Sequence, residues 1–147
     1  MREWTTFDRL EEQFLREVGL VLAEDDAYPL YVTVLHAHVD TGVVAPSIFK
    51  DVGDWVVYRE PDLARLTPPL LKLWHLSSLM GRWSEIEYRI CGDRFEVRFI
   101  QAGDKAKKRF VSDKVRKALL KRYFGNKPVE YPGGHGGSAF AVRFENG

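Results

Sequence analysis

Apolar residues recur at helical spacing near the start of the chain. Phe7, Leu10, Phe14, Val18, Val21 and Leu22 fall on one side, while Asp8, Arg9, Glu11, Glu12 and Arg16 fill the other. The period predicts a first helix that begins near Thr5 or Thr6, either of which can cap it, and ends near Glu24-Asp25-Asp26. The pattern then shifts toward strand chemistry. Leu30 to Val39 is rich in β-branched residues, Asp40-Thr41-Gly42 supplies a turn and Val43 to Phe49 returns, which predicts a hairpin. Trp55 to Tyr58, between Gly53 and Pro61, reads as a short third strand. A second helix is expected to start at Thr67-Pro68-Pro69, because prolines in a first turn cost no hydrogen bond. Leu70, Leu71, Leu73, Trp74 and Leu79 would form its apolar stripe, and Gly81 would close it.

Trp83 to Ile100 carries the sharpest local pattern, with Gly92-Asp93 as a two-residue hairpin turn. That turn sets Ile86 opposite Phe99, Tyr88 opposite Val97 and Ile90 opposite Phe95 on one face. On the other it sets Glu87 opposite Arg98 and Arg89 opposite Glu96. Every pair is apolar with apolar or acid with base, and a slip of one residue would destroy both sets. The expectation is a hairpin with one face on the core and one charged face in water.

Residues 101 to 109 read as a basic loop. Ser112 or Asp113 would cap a third helix, with Val115, Leu119, Leu120 and Tyr123 inward, Lys114, Lys117, Lys121 and Arg122 outward, and Gly125 as its end. Pro132-Gly-Gly-His-Gly-Gly137 reads as a flexible connector to a last edge strand over Phe140 to Phe144. The order of elements predicts an α+β fold. An antiparallel sheet of four to five strands, built from two hairpins, would pack with three helices. The domain is expected to span residues 1–132, with residues 133–147 as a glycine-rich connector and a short strand or tail.

Composition supports a folded domain without narrowing its task. At 147 residues, 45% hydrophobic and 29% charged, the chain can bury a core of its own. No apolar run reaches the roughly 18 residues that a membrane span needs, and the N-terminus lacks a secretory pattern, so a cytoplasmic location is the expectation. Cys91 is the only cysteine, which excludes an intrachain disulfide.

Charge changes the picture more. The formal net charge of +1 conceals thirteen acids against five bases in residues 1 to 62, a block of −8. Ten bases from Lys105 to Lys127 stand against Asp104 and Asp113, a block of +8. Such segregation bears on partners and association, not on fold.

Candidate chemistry is sparse. His36 and His38 lie two apart on the expected strand Leu30 to Val39, so both rings share a face, a spacing that metal sites use, but no Asp or Glu is expected on that face within the strand. Cys91 has no sequence-adjacent histidine or helix N-terminus to activate it. The glycines around His135 lack the Lys-Ser/Thr of a phosphate loop. The acids cluster in loops among charged neighbours, with no apolar setting that would raise a carboxyl pKa for acid–base work. The basic segment could meet nucleic acid, yet Phe110, Tyr123 and Phe124 sit at or near the apolar stripe, as core residues would.

Trp83-Ser-Glu-Ile-Glu-Tyr-Arg-Ile, then Gly92-Asp-Arg-Phe-Glu-Val-Arg-Phe, then a charged helix closing on Tyr123-Phe-Gly-Asn-Lys-Pro-Val-Glu-Tyr-Pro132 resembles the YezG-like immunity proteins of bacterial polymorphic toxin and contact-dependent growth inhibition systems. The resemblance covers about residues 1 to 132 and implies a small cytoplasmic α+β protein. Such a protein would bind and neutralise a cognate toxin domain, often a nuclease, by occluding its active site. It implies no catalytic residue, cofactor, metal or small-molecule substrate.

The expected function is therefore non-enzymatic. The partner surface is expected at Glu24, Asp25, Asp26, Asp40, Asp51, Asp54, Trp55, Glu60 and Asp62, where negative charge would speed capture of a basic toxin domain. The alternative is a nucleic-acid-binding regulator that uses the basic 105–127 segment. A third reading is a small hydrolase or metal enzyme around His36 and His38.

Overall fold

The computed structural model describes residues 6–28, 32–77, 82–101, 113–132 and 142–143. In chain order these form helix α1 (Thr6–Ala23), strands β1 (Val32–Asp40), β2 (Val43–Asp51) and β3 (Val56–Arg59), and helix α2 (Leu63–Leu76). Strands β4 (Trp83–Cys91) and β5 (Arg94–Gln101), helix α3 (Asp113–Phe124), and the short strands β6 (Val129–Glu130) and β7 (Val142–Arg143) follow. The α+β class and the order helix, hairpin, strand, helix, hairpin, helix agree with the expectation. The sheet is larger than expected and is mixed. Six strands run β5-β4-β1-β2-β3-β6, and β7 pairs with β2 off that path. β3 with β6 is the parallel pair. Two-residue strands carry no periodicity, which is why β6 left no pattern in the sequence. No helix among the described residues is long and apolar enough to cross a membrane.

The second hairpin has the expected register throughout, Glu87 with Arg98 and Arg89 with Glu96 included. An irregularity between Trp83 and Glu85 adds one residue at Ser84. This bulge turns Trp83 into the same core as Ile86 and Tyr88, three and five positions on, which strict alternation would forbid.

Helix α2 begins at Leu63, four residues before the expected start at Thr67. Asp62 caps it, its side chain accepting from the Arg65 amide at 3.2 Å, so Pro68 and Pro69 lie inside the helix. Each removes one backbone donor there. Burial of Leu66, Pro69, Leu70, Leu73 and Trp74 holds the helix across that gap. It ends at Leu76, where the Ser77 hydroxyl donates to the Trp74 carbonyl at 2.7 Å. Leu79 and Gly81, expected in its last turn and at its stop, lie outside the described residues.

Two apolar clusters occupy the two sheet faces. Leu15, Val18 and Leu22 of α1 and Leu66, Leu70, Leu73 and Trp74 of α2 pack on Leu35, Ala37, Val39, Ile86 and Tyr88. Leu119 and Phe124 of α3 pack on Val34, Phe49, Val56 and Tyr58 from the other side. Leu10, expected in the first helix's stripe, is 36% exposed, and Leu15 takes the buried position. The expectation of a hairpin face left in water is corrected here: α3 covers part of it, and Glu87 is only 2% exposed. At the end of α3, Gly125 adopts φ 65° and its amide donates to the Lys121 carbonyl at 3.0 Å, the left-handed stop that a glycine allows. The turn that follows sets Pro128 beside Val56, whose amide donates to its carbonyl at 2.8 Å. That bond starts the pairing of β6 with β3.

The glycine connector after Pro132 lies outside the described residues. Of the expected last strand, Val142 and Arg143 are described, paired with Val44 and Val43.

Candidate partner-binding surface

The sheet sorts the nine expected surface residues into three groups. Glu24, Asp25 and Asp26 follow α1, and Glu60 and Asp62 follow β3. These five line one cleft of about 570 Å³, shared with Lys50, Arg59 and Arg65. Asp51, Asp54 and Trp55 belong to the β2–β3 connection, at the end of the same two strands. Asp40 stands apart. It closes the far end of β1, eight residues from Val32, and its side chain accepts from the Thr41 amide at 2.7 Å. At about 3.3 Å per residue those two ends are about 26 Å apart.

Most of these acids already hold a partner within the chain. Asp25 accepts from Arg59 Nε at 2.6 Å and Nη2 at 3.0 Å, and the buried Lys50 ammonium lies 4.0 Å away. Burial pushes the Asp25 carboxyl up, but the Arg59 hydrogen bond and charge, with Lys50 and the Tyr28 amide, outweigh it and hold it below its ordinary value. Burial drives Lys50 down against the pull of Asp25. The ammonium donates to the Leu22 and Tyr28 carbonyls at 3.1 and 2.6 Å, tying the end of α1 to the sheet. Glu24 pairs with Arg65. Asp51 binds Lys127 Nζ at 2.8 and 3.0 Å, and that hydrogen bond overcomes the effect of burial and lowers its carboxyl. Asp62 is spent on the α2 cap.

Asp26, Asp54 and Glu60 are exposed and make no ion pair or side-chain hydrogen bond among the described residues. Trp55 is 41% exposed. Four residues separate Trp55 from Arg59 at the cleft, about 13 Å of extended chain. One interface footprint of about 800 Å² per partner spans that distance.

The opposite sheet face carries a buried polar layer that reading each strand alone missed. His36 and His38 share a face, as their spacing requires, and are 2% and 4% exposed. The expectation of no acid on that face within the strand is corrected, because β1 extends to Asp40, which has the same parity as His36 and His38, and β4 adds Glu87 opposite His36 and Glu85 opposite His38. His36 Nε2 lies 2.7 Å from Glu85 Oε1. That hydrogen bond outweighs burial and lowers the Glu85 carboxyl, whereas burial lowers His38 despite Asp40 and Glu85. Glu87 accepts from the Tyr123 hydroxyl at 2.7 Å and from Arg122. Arg116 is 5% exposed, with Nη2 3.5 Å from Ser47 Oγ and with Nε and Nη1 lacking a hydrogen-bond partner among the described residues. No group of three or more His, Cys, Asp or Glu among the described residues is placed to hold a metal ion.

The basic block is depleted by the same contacts. Arg116 is buried, Arg122 lies on the exposed side as expected but donates to Glu87, and Lys127 is bound to Asp51. Lys114, Lys117 and Lys121 remain on the exposed side of α3. Lys105 to Arg109 and Phe110 lie outside the described residues. Cys91 is exposed beside the hairpin turn.

No protein-family model matches the chain, and a search of curated proteins gives no match.

Proposed function

We propose that this protein is a non-enzymatic immunity protein, which binds a basic toxin domain of bacterial origin and blocks its active site. The observation that carries the reading is the exposed Trp55, adjacent in sequence to Asp54 and within one interface footprint of Asp26 and Glu60, three exposed carboxylates that make no ion pair or side-chain hydrogen bond among the described residues. Tryptophan supplies large contact area and is enriched among residues that dominate interface energy. Acids that hold no described ion pair can meet a basic surface without first breaking one, and their field speeds encounter. Glu24, Asp25, Asp51 and Asp62 form the frame of the surface through their internal bonds. Asp40 stands at the opposite end of β1, about 26 Å away.

The reading expects a toxin gene beside the gene for this protein, and the test is co-expression with the C-terminal domain of that toxin. The chain should restore growth and co-purify with the domain, and Trp55→Ala should weaken both. Failure to protect against the neighbouring toxin, together with salt-sensitive binding of RNA or DNA by the chain alone, would replace this reading with the nucleic-acid regulator.

A further inference from the structure

β5 is a terminal strand of the described sheet, and no other described strand pairs with its outer edge. It is eight residues long, and such an edge is a ready template for another strand. Its backbone parity is fixed by the hairpin. A two-residue loop is closed by a hydrogen-bonded pair, here Cys91 with Arg94, so alternate residues bond to β4. Arg94, Glu96, Arg98 and Ile100 spend their N–H and C=O groups on β4. Phe95, Val97 and Phe99 present theirs to the open edge.

We propose that the protein forms a homodimer in which two β5 strands pair antiparallel about a twofold axis through Val97, joining two sheets into one. The occupant is a second copy because the strand is complementary to itself. With the axis perpendicular to the sheet, paired residues must share a face and the outward groups must meet, so only same-parity pairs are allowed. Centred on Val97, the register sets Phe95 against Phe99 and Val97 against Val97. It also sets Glu96 against Arg98 twice. Centring on Glu96 would instead oppose Glu96 to Glu96 and Arg94 to Arg98, and centring on Arg98 would oppose Arg98 to itself. Like charges directly opposite disfavour both. The charges are available, with the Glu96 side chain 78% and the Arg98 side chain 61% exposed. Apolar surface lies along the same edge: Phe95 is 40% and Leu20 64% exposed, and both line a groove between α1 and the hairpin tip. This inference is independent of the toxin reading.

Sedimentation equilibrium of the full chain, from micromolar to millimolar concentration, tests it. The mass should rise by mass action from the 17.0 kDa chain toward twice that value. Val97→Pro removes an outward donor that β4 does not use, so it should keep the fold by circular dichroism and abolish the dimer. Glu96→Arg and Arg98→Glu should each weaken self-association about tenfold or more, since each creates two like-charge pairs. An equimolar mixture of these two variants should regain dimers, because the hetero-pairing restores both acid–base contacts. Arg98 Nη1 lies 3.8 Å from Glu87 Oε1, so Arg98→Glu can harm the fold, in which case Val97→Pro and Glu96→Arg decide the matter. A monomer at every concentration would overturn the proposal. So would a dimer that Val97→Pro and Glu96→Arg both leave intact.

Discussion

The Tyr123 hydroxyl of α3 donates to Glu87 Oε1 of β4 at 2.7 Å, across 36 positions of sequence. This bond joins the third helix to the charged side of the second hairpin and, with Arg122 on the other carboxylate oxygen, makes Glu87 a buried anchor. It also changes what the hairpin's acid–base pairs mean. Arg98 lies 3.8 Å from Glu87 but is largely exposed, so it stands at the rim of a site that α3 already fills.

Glu87→Lys should therefore be far more costly than the loss of an exposed pair. It sets an ammonium beside Arg122 and leaves the Tyr123 hydroxyl without its acceptor, a loss of about 3–5 kcal/mol for a broken buried pair. Adding Arg98→Glu should restore only about 0.2–1 kcal/mol, the worth of an exposed contact. Tyr123→Phe should cost about 1–3 kcal/mol, since it removes a hydrogen bond to a charged group. Urea unfolding midpoints check the ranking. Full rescue by Arg98→Glu would mean that α3 does not cover this face.

Gly19 of α1 offers a test of the other face. A Cβ there would lie 2.7 Å from the Tyr88 hydroxyl, which donates to the Leu15 carbonyl at 2.9 Å inside the core. Gly19→Ala should destabilise the parent chain despite the gain in helix propensity. In a Tyr88→Phe background the nearest ring atom is Cζ at 3.7 Å, an ordinary contact. There the same substitution should stabilise by up to about 1 kcal/mol. Thermal unfolding of the four variants gives the coupling directly.

Stability should fall in two stages as pH drops. Burial lowers His38 from 6.5, so just below that value the unfolded chain binds the proton better than the native one. The His38 contribution is therefore complete above pH 6.5 and is lost as pH falls toward the lowered native value. Asp25 and Asp51, lowered from 3.8, and Glu85, lowered from 4.5, follow the same sign in acid. Their contributions are present above those ordinary values and are lost as pH falls through the native ones. His38→Gln should remove the first decline and leave the second, as read by unfolding midpoints between neutral pH and acid. A profile flat from neutral to the carboxylate range in the parent chain would contradict this.

The sequence carried local pairing well and lateral packing poorly. The Gly92-Asp93 turn and the alternation around it determined all five register pairs, because a two-residue turn leaves no freedom. Helix α2 was misplaced for a comparably local reason: the Pro68-Pro69 pair suits a first turn, but the Asp62 cap begins the helix earlier and tertiary burial carries it past both prolines. The polar layer of His36, His38, Glu85 and Glu87 was invisible along any one strand, since it arises only when β4 lies beside β1. The same is true of the acidic surface. Composition marked the acids, while the distinction between Asp51, bound to Lys127, and Asp54, which has no such bond among the described residues, depends on β6 and its approach lying next to β3.

That distinction yields the last prediction, which separates acids that hold the fold from acids available to a partner. Asp62→Ala removes the α2 cap and should cost about 1 kcal/mol of stability. Asp51→Lys opposes Lys127 with a second ammonium and should also lower stability. Neither change should slow capture of a basic toxin domain as much as the combined reversal of Asp26, Asp54 and Glu60 to Lys. That triple variant breaks no described ion pair and should leave the unfolding midpoint nearly unchanged. Its association rate should fall several-fold in low salt, and the difference from the parent should shrink as the Debye length contracts from about 10 Å at 0.1 M to about 3 Å at 1 M. Reversing Lys114, Lys117 and Lys121 to Glu should not slow capture, because those lysines lie on α3, across the sheet from the cleft. Stopped-flow association at two salt concentrations reads all of these rates. If the lysine variant loses capture while the triple acidic variant keeps it, the binding surface is the exposed side of α3 and not the acidic end of the sheet.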